Sequence, residues 1–85
     1  MFEILFTPRG EDDLKKLDAH ISRIIMAKLS DYASRDNPLV FAKPLVNLPP
    51  ASHRFRIGKY RVSFFIKQKT VFVERIELRG EAYRR

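Results

Sequence analysis

Short apolar runs alternate with polar segments along the chain, and the first run, FEILF at residues 2–6, predicts a β-strand. Thr7 and Pro8 then form a helix start. A threonine suits the N-cap, and a proline suits the first helical position because its missing N–H group is not needed there. Leu14 and Leu17 follow at helical spacing. The pattern therefore predicts a strand that leads directly into a helix.

A second helix is predicted to begin at Asp18, a residue type favoured at the N-cap. Apolar residues recur beyond it at three- and four-residue steps, as on the buried face of an amphipathic helix. They are Ile21, Ile24, Ile25, Met26, Leu29 and Tyr32. Asn37-Pro38 ends the pattern, because the residue before a proline disfavours the helical region. Residues 8–34 are thus predicted to form two helices with a turn near Asp18.

Residues 36–52 contain four prolines and are predicted to be a loop that crosses the fold and packs through its own apolar side chains. Three strands are predicted after it, at roughly 53–57, 60–67 and 70–77. The predicted order of elements is therefore one strand, two helices and three strands.

The stretch HRFRIGKYRV, residues 53–62, predicts a tight β-hairpin with its turn at Gly58-Lys59. Antiparallel pairing across that turn places Ile57 opposite Tyr60 and Arg56 opposite Arg61, and paired residues share a face. The core face then carries Phe55, Ile57, Tyr60, Val62, Phe64 and Ile66. The opposite face carries Arg54, Arg56 and Arg61 as close neighbours.

Like charges placed opposite each other destabilise a sheet by up to about 1 kcal/mol per pair. The hairpin itself contains no carboxylate, and Glu74 on the next predicted strand is the nearest candidate to compensate. Long arginine side chains often just extend into water. Three of them on one small patch favour an anion site instead, since arginine suits bidentate phosphate contacts.

The last predicted strand breaks its own alternation, because Val71 and Val73 share a parity that Ile76 does not. This pattern indicates either a β-bulge or a stretch that is buried on both faces. Both alternatives leave open which way Glu74 and its neighbours point.

Charge is unevenly distributed. Residues 1–42 carry six Lys/Arg and seven Asp/Glu, a net charge of −1, whereas residues 43–85 carry eleven and three, a net charge of +8, within a total of +7. A basic half beside a nearly neutral half favours a directed polyanion-binding face over a general solubility charge. The 85 residues predict one domain, residues 1–85. No cysteine, signal sequence or membrane-length apolar run is present, so a cytoplasmic protein is expected.

In these features the chain resembles the RelE/ParE toxin superfamily, and more closely the RelE-like mRNA interferases that act on ribosomes. The resemblance lies in FEILFTPRGEDDLKKLD, FAKPLVNL, HRFRIGKYRVSFFI and ERIELRGEAYRR, in that order. It implies an α+β fold, a small twisted antiparallel sheet with two helices packed on one face. It also implies the toxin of a type II toxin–antitoxin system that cuts mRNA through attack of the ribose 2′-hydroxyl on the adjacent phosphate.

The resemblance also implies roles for particular residues. Arg61, Arg79 and Tyr83 match catalytic positions, with Tyr83 as a candidate general base. Arg54 and Arg56 match the basic pair of the hairpin's first strand. The implied partners are a cognate antitoxin, the ribosome and mRNA, with no membrane, no metal and no small-molecule cofactor.

One departure from the resemblance concerns Leu78, which stands where many relatives have a histidine and cannot transfer a proton. His53 at the start of the hairpin is a candidate substitute acid or base, or a surface for base stacking. It is grouped with Lys59 among the candidate RNA-binding residues. The plain alternative for His53 is a solvent-exposed strand residue.

Two other functions stay open at this point. A ParE-like protein would inhibit DNA gyrase and cleave no RNA. A longer helical hairpin and the lack of a basic catalytic set would favour it. A basic RNA-binding module without chemistry would stack bases on exposed aromatic residues, and Phe65 or Phe72 beside Arg61 would favour that alternative.

Overall fold

The computed structural model describes residues 1–78 as a five-stranded sheet with two helices. The elements, in chain order, are β1 Glu3–Phe6, α1 Pro8–Lys15, α2 Ala19–Ala33, a 3₁₀ turn Pro38–Phe41, β2 Ala42–Pro44, β3 His53–Ile57, β4 Tyr60–Lys67 and β5 Thr70–Leu78. The sheet order is β1-β5-β4-β3-β2. The predicted α+β class is therefore confirmed.

The sheet differs from the expected one in two respects. It is mixed, because β1 pairs parallel to β5 while the other neighbouring strands pair antiparallel. It also contains β2, at the edge beside β3, within the segment predicted to be a loop. A three-residue strand that ends in Pro44 gives little alternation to detect, and proline is tolerated at a sheet edge.

Both helix starts agree with the sequence. The Thr7 side chain accepts a hydrogen bond from the Gly10 N–H, and the Asp18 side chain accepts one from the His20 N–H. The core lies between α2 and one face of the sheet. Its most buried side chains are Ile25, Leu29, Phe55, Val62, Phe64, Val71 and Val73. Ile24 and Met26 of the predicted apolar face stay exposed instead.

Beyond the end of β1, helix α1 occupies the side of β5 where a neighbouring strand would otherwise pair. Thr7 donates through its N–H to the Val73 carbonyl oxygen at 3.0 Å, and Asp13 Oδ2 accepts from the Ile76 N–H at 2.9 Å. Gly10 is buried where α1 touches β5, and a Cβ atom there would overlap the Val73 carbonyl oxygen. Glycine at position 10 therefore permits the helix to satisfy the edge of β5.

A β-bulge between β4 and β5 explains the broken alternation. Phe64 pairs with Val73 and Ser63 pairs with Arg75, so Glu74 is the extra residue. The bulge restores Ile76 to the core face and leaves Arg75 and Glu77 on the opposite face, here called the outer face. Of the two alternatives left by the sequence, the bulge is confirmed.

Candidate nucleic-acid interface

The predicted register of the arginine hairpin is confirmed. Gly58 has a φ of 58°, which a turn residue of this kind requires, and Arg56 pairs with Arg61 across the β3–β4 ladder. Arg54 pairs with Ser63 in the same ladder. Since paired residues share a face, Arg54, Arg56 and Arg61 all lie on the outer face.

A fourth cation extends this set at the sheet edge. Lys43 of β2 pairs with Arg54, so its exposed side chain lies on the outer face as well. We call Lys43, Arg54, Arg56 and Arg61 the basic row. The sequence alone does not indicate Lys43, because residues 36–52 are predicted to be a loop and no alternation marks so short a strand.

Arg61 lies deeper in the basic row than the sequence suggests. It is 8% exposed, whereas Arg54 is half-buried and Arg56 is exposed. The expectation that Glu74 is its nearest carboxylate is wrong, because the bulge places Glu77 directly opposite Arg61 in the β4–β5 ladder. A carboxylate at that register position is placed to offset the Arg56–Arg61 repulsion.

His53 does not join the basic row. It has the parity of Phe55, pairs with Phe64, and its ring stacks on that buried ring with centroids 6.0 Å apart. Its Nδ1 lies 2.9 Å from the Ser52 hydroxyl. Alternation turns the half-buried side chain toward the core, so His53 is neither beside the arginines nor a fully exposed strand residue.

The other candidate residues are distributed as follows. Lys59 lies in the hairpin turn and lines an apolar groove with Ile24 and Leu78. Leu78 pairs with Tyr60 on the core face, so position 78 does not face the basic row. Arg79 and Tyr83, both predicted to be catalytic, lie outside the described residues.

Two aromatic side chains continue the outer face beyond the basic row. Phe65 of β4 pairs with Phe72 of β5, and their rings stack with centroids 5.0 Å apart. Both are half-buried. A stacked pair of this kind on a basic sheet offers a platform for an unstacked base.

The outer face ends at β5 in a cluster of ion pairs, formed by Arg9, Asp13, Glu74, Arg75 and Glu77. Arg75 donates through Nε to Asp13 Oδ2 at 2.8 Å, and its Nη2 lies 3.5 Å from Glu77. The hydrogen bond to Asp13 is the main cause that raises the pKa of Arg75 above its ordinary value. Arg75 is thus held as a fixed cation whose charge is matched by neighbouring carboxylates.

The loop between β2 and β3 closes over this cluster. Leu48, Pro49, Pro50 and Ala51 face Ser63, Glu74, Arg75 and Glu77 across a pocket of about 140 Å³. The loop is tied down by the Ser52 N–H, which donates to the Phe64 carbonyl oxygen at 2.9 Å. The outer face therefore has an open basic half and a neutral half with a roofed pocket.

This arrangement suits binding of a single-stranded polyanion. Arginines at neighbouring positions contact phosphates, and stacked aromatics contact bases. Within residues 1–78, no group of three or more His, Cys, Asp or Glu side chains is arranged to hold a metal ion. In that same part of the chain, no helix is long and apolar enough to cross a membrane.

The fold of this chain is similar to that of several solved toxin structures. A chain of the toxin–antitoxin complex RelBE2 from Mycobacterium tuberculosis is 29% identical, with 92% of this chain and 98% of that one covered and a TM-score of 0.78. The isolated RelE toxin of E. coli is 18% identical, with 98% and 92% covered and a TM-score of 0.71. A chain of the ParDE system from P. aeruginosa is 14% identical, with 92% and 96% covered and a TM-score of 0.67.

A scan against protein-family models found no match, and a search of curated proteins found none either. The similarity rests on the shared architecture over nearly the whole length of each chain, together with the 29% sequence identity to the RelBE2 chain. The chain is therefore similar, in fold and over nearly its whole length, to toxins of the RelE/ParE superfamily, which supports the resemblance seen in its sequence.

Proposed function

We propose that the protein is the toxin of a type II toxin–antitoxin system and that it cleaves mRNA on the ribosome in the cytoplasm. The observation that carries this proposal is the basic row, in which Lys43, Arg54, Arg56 and Arg61 lie on one face of the sheet. Its placement on an open face suits a phosphodiester backbone, and arginine forks match phosphate oxygens in geometry as well as charge.

The proposed chemistry is a transesterification. It needs a base for the 2′-hydroxyl, charge stabilisation on the pentavalent phosphorane and an acid for the leaving oxygen. Arg61 is the proposed source of charge stabilisation, because its burial fixes the guanidinium and weakens the screening of its charge by water. Arg79 is proposed to assist it and Tyr83 to act as the base, while Arg54 and Arg56 hold the RNA. No step requires a metal ion.

A cognate antitoxin is the proposed protein partner. The toxin–antitoxin complexes among the similar structures support this. The basic row favours an acidic segment as the part of the antitoxin that covers it, and the exposed edge of β2 offers a place to add a strand. We expect the affinity of the pair to fall with salt. An affinity that salt leaves unchanged would contradict binding at the basic row.

Two other functions compete with this proposal. The likeness to the ParDE chain allows a gyrase inhibitor, although α1 has just eight residues and the predicted signature of a longer helical hairpin is missing from residues 1–78. The Phe65–Phe72 stack favours an RNA-binding module without chemistry.

A single set of assays separates the three functions. Purified protein is added to translating ribosomes, and the mRNA is mapped by primer extension, with Arg61→Ala and Tyr83→Phe as variants. Cuts at fixed codon positions that both variants weaken support the interferase. Gyrase-linked DNA breaks would replace it with the ParE-like activity, and salt-sensitive RNA binding without cuts would leave the binding module. Cuts as strong in both variants as in wild type would rule out the proposed catalytic residues.

A further inference from the structure

We infer that the roofed pocket on the neutral half of the outer face binds the Watson–Crick edge of an unpaired guanine, with Glu74 as the acceptor. The inference deepens the proposed function and rests on it, since it concerns the base that accompanies a phosphate held at the basic row. The pocket is lined by loop residues 48–51 together with Arg9, Ser63, Glu74, Arg75 and Glu77.

The size of the pocket favours a single flat ring system. Its volume of about 140 Å³ is below the roughly 300–1,000 Å³ of pockets that hold drug-sized ligands. Leu48, Pro49 and Pro50 provide apolar surface against which a ring can pack. The pocket is therefore suited to a base, whereas a complete nucleotide would have to leave its sugar and phosphate outside.

The charges in the pocket exclude a phosphate as its occupant. Arg75 is matched by Asp13 and Glu77, and Arg9 lies 3.9 Å from Glu74. Arg9 and Arg75 match Glu74 and Glu77 in number, and Asp13 adds a further carboxylate, so no surplus positive charge is left for an anion. A neutral heterocycle with N–H donors fits such a lining better than any charged group.

Two deeply buried polar side chains are available to a ligand. Glu74 is 8% exposed, and its 3.9 Å contact with Arg9 is too long to be a hydrogen bond. Ser63 is 7% exposed, and its hydroxyl makes no side-chain hydrogen bond within residues 1–78. Both side chains line a pocket that water can enter, so a ligand with N–H donors can replace the water at these oxygens.

Guanine is the base that matches a carboxylate acceptor. It presents the N1–H and N2–H donors side by side, and a carboxylate can accept both. Adenine and cytosine each present one donor group beside an acceptor nitrogen. Uracil presents one N–H between two carbonyl oxygens, which the carboxylate would repel.

The position of the pocket relative to the basic row agrees with this assignment. Ser63 follows Arg61 by two residues on β4, a distance of about 7 Å along the strand. A single nucleotide spans such a distance. A phosphate at Arg61 can therefore place the adjacent base at Ser63 and Glu74.

The test measures binding of labelled RNA trinucleotides to the whole protein at low salt, without ribosomes. The probes carry guanine, inosine or adenine in the middle of otherwise identical uridine sequences. We expect wild type to bind the guanine probe about tenfold more tightly than inosine, which lacks the N2 amine. Glu74→Gln should abolish that preference. The matched control Glu11→Gln removes the same charge at an exposed site and should keep it.

Equal affinity of the wild type for the guanine and inosine probes would overturn the assignment of guanine to the pocket. A preference for the adenine probe, or a guanine preference that survives Glu74→Gln, would overturn it as well. The inosine comparison needs no variant, so the test does not depend on the folding of Glu74→Gln. Ser63→Ala, a smaller change, should reduce the guanine preference in part. A wild type that cuts mRNA regardless of nearby guanine would remove the pocket and leave the proposed function intact.

Discussion

The two halves of the outer face use the same residue types in opposite ways. On β2, β3 and β4 the cations of the basic row face one another, and Arg56 stays exposed beside Arg61. On β5 and α1, Arg75 is bound by Asp13 and Glu77, and Arg9 lies close to Glu74. The comparison teaches that arginine number alone does not mark a site. An arginine whose charge is matched locally holds elements together, whereas cations that gather in excess of carboxylates attract a ligand.

The largest expected effect belongs to the structural half and concerns Gly10. Gly10→Ala would place a Cβ atom against the Val73 carbonyl oxygen, so α1 would have to move away from β5. We expect the free energy of unfolding to fall by about 3 kcal/mol, measured by urea denaturation. The control Gly58→Ala has open space but a positive φ and should be destabilised by about 1 kcal/mol. Equal destabilisation in the two variants would contradict the tight packing of α1 on β5.

The next largest loss of stability is expected at Asp13, which links α1 to β5. Its carboxylate accepts from the Arg75 guanidinium and from the Ile76 N–H. Asp13→Ala leaves both donors without this acceptor, so we expect the unfolding free energy to fall by about 2 kcal/mol. Asp12→Ala, an exposed neighbour, should stay within about 0.5 kcal/mol of wild type. A destabilisation at Asp12 as large as that at Asp13 would show that the ion-pair cluster is not what holds α1.

Substitutions in the basic half should weaken RNA binding rather than the stability of the fold. Arg54→Ala combined with Arg56→Ala removes two proposed phosphate ligands, so we expect RNA affinity to fall roughly tenfold, or about 1.4 kcal/mol. The slope of log affinity against log salt should become shallower by about 1.4, since each neutralised phosphate of a single strand contributes about 0.7. Fluorescence anisotropy over a salt series measures both quantities. An unchanged slope would mean that these arginines bind no phosphate.

The sequence allowed the hairpin half of this comparison to be predicted and not the other half. Strict alternation between Phe55 and Val62 fixed the register and hence the face of the arginines. The same parity, extended by two residues, also places His53 on the core face. The separation of His53 from the arginines could therefore have been predicted from the sequence.

Other features depend on contacts between elements distant in sequence. The β-bulge was visible as a break in parity, but its exact position decides that Glu77, rather than Glu74, lies opposite Arg61. The Asp13–Arg75 hydrogen bond joins residues 62 positions apart, and no local pattern encodes it. The pocket under Leu48–Ala51 likewise depends on how a proline-rich loop folds back over the sheet.

The smallest expected effect tests the edge of the basic row. Lys43 lies beside Arg54 but is exposed, so solvent and salt screen its charge more than that of Arg61. Lys43→Ala should weaken RNA binding about threefold and make the salt slope shallower by about 0.7. Lys67→Ala removes an exposed lysine from the far end of β4 and should alter the slope less. Because both variants change net charge equally, equal slopes would show that RNA senses the total charge of the protein, and different slopes would show that it follows the basic row.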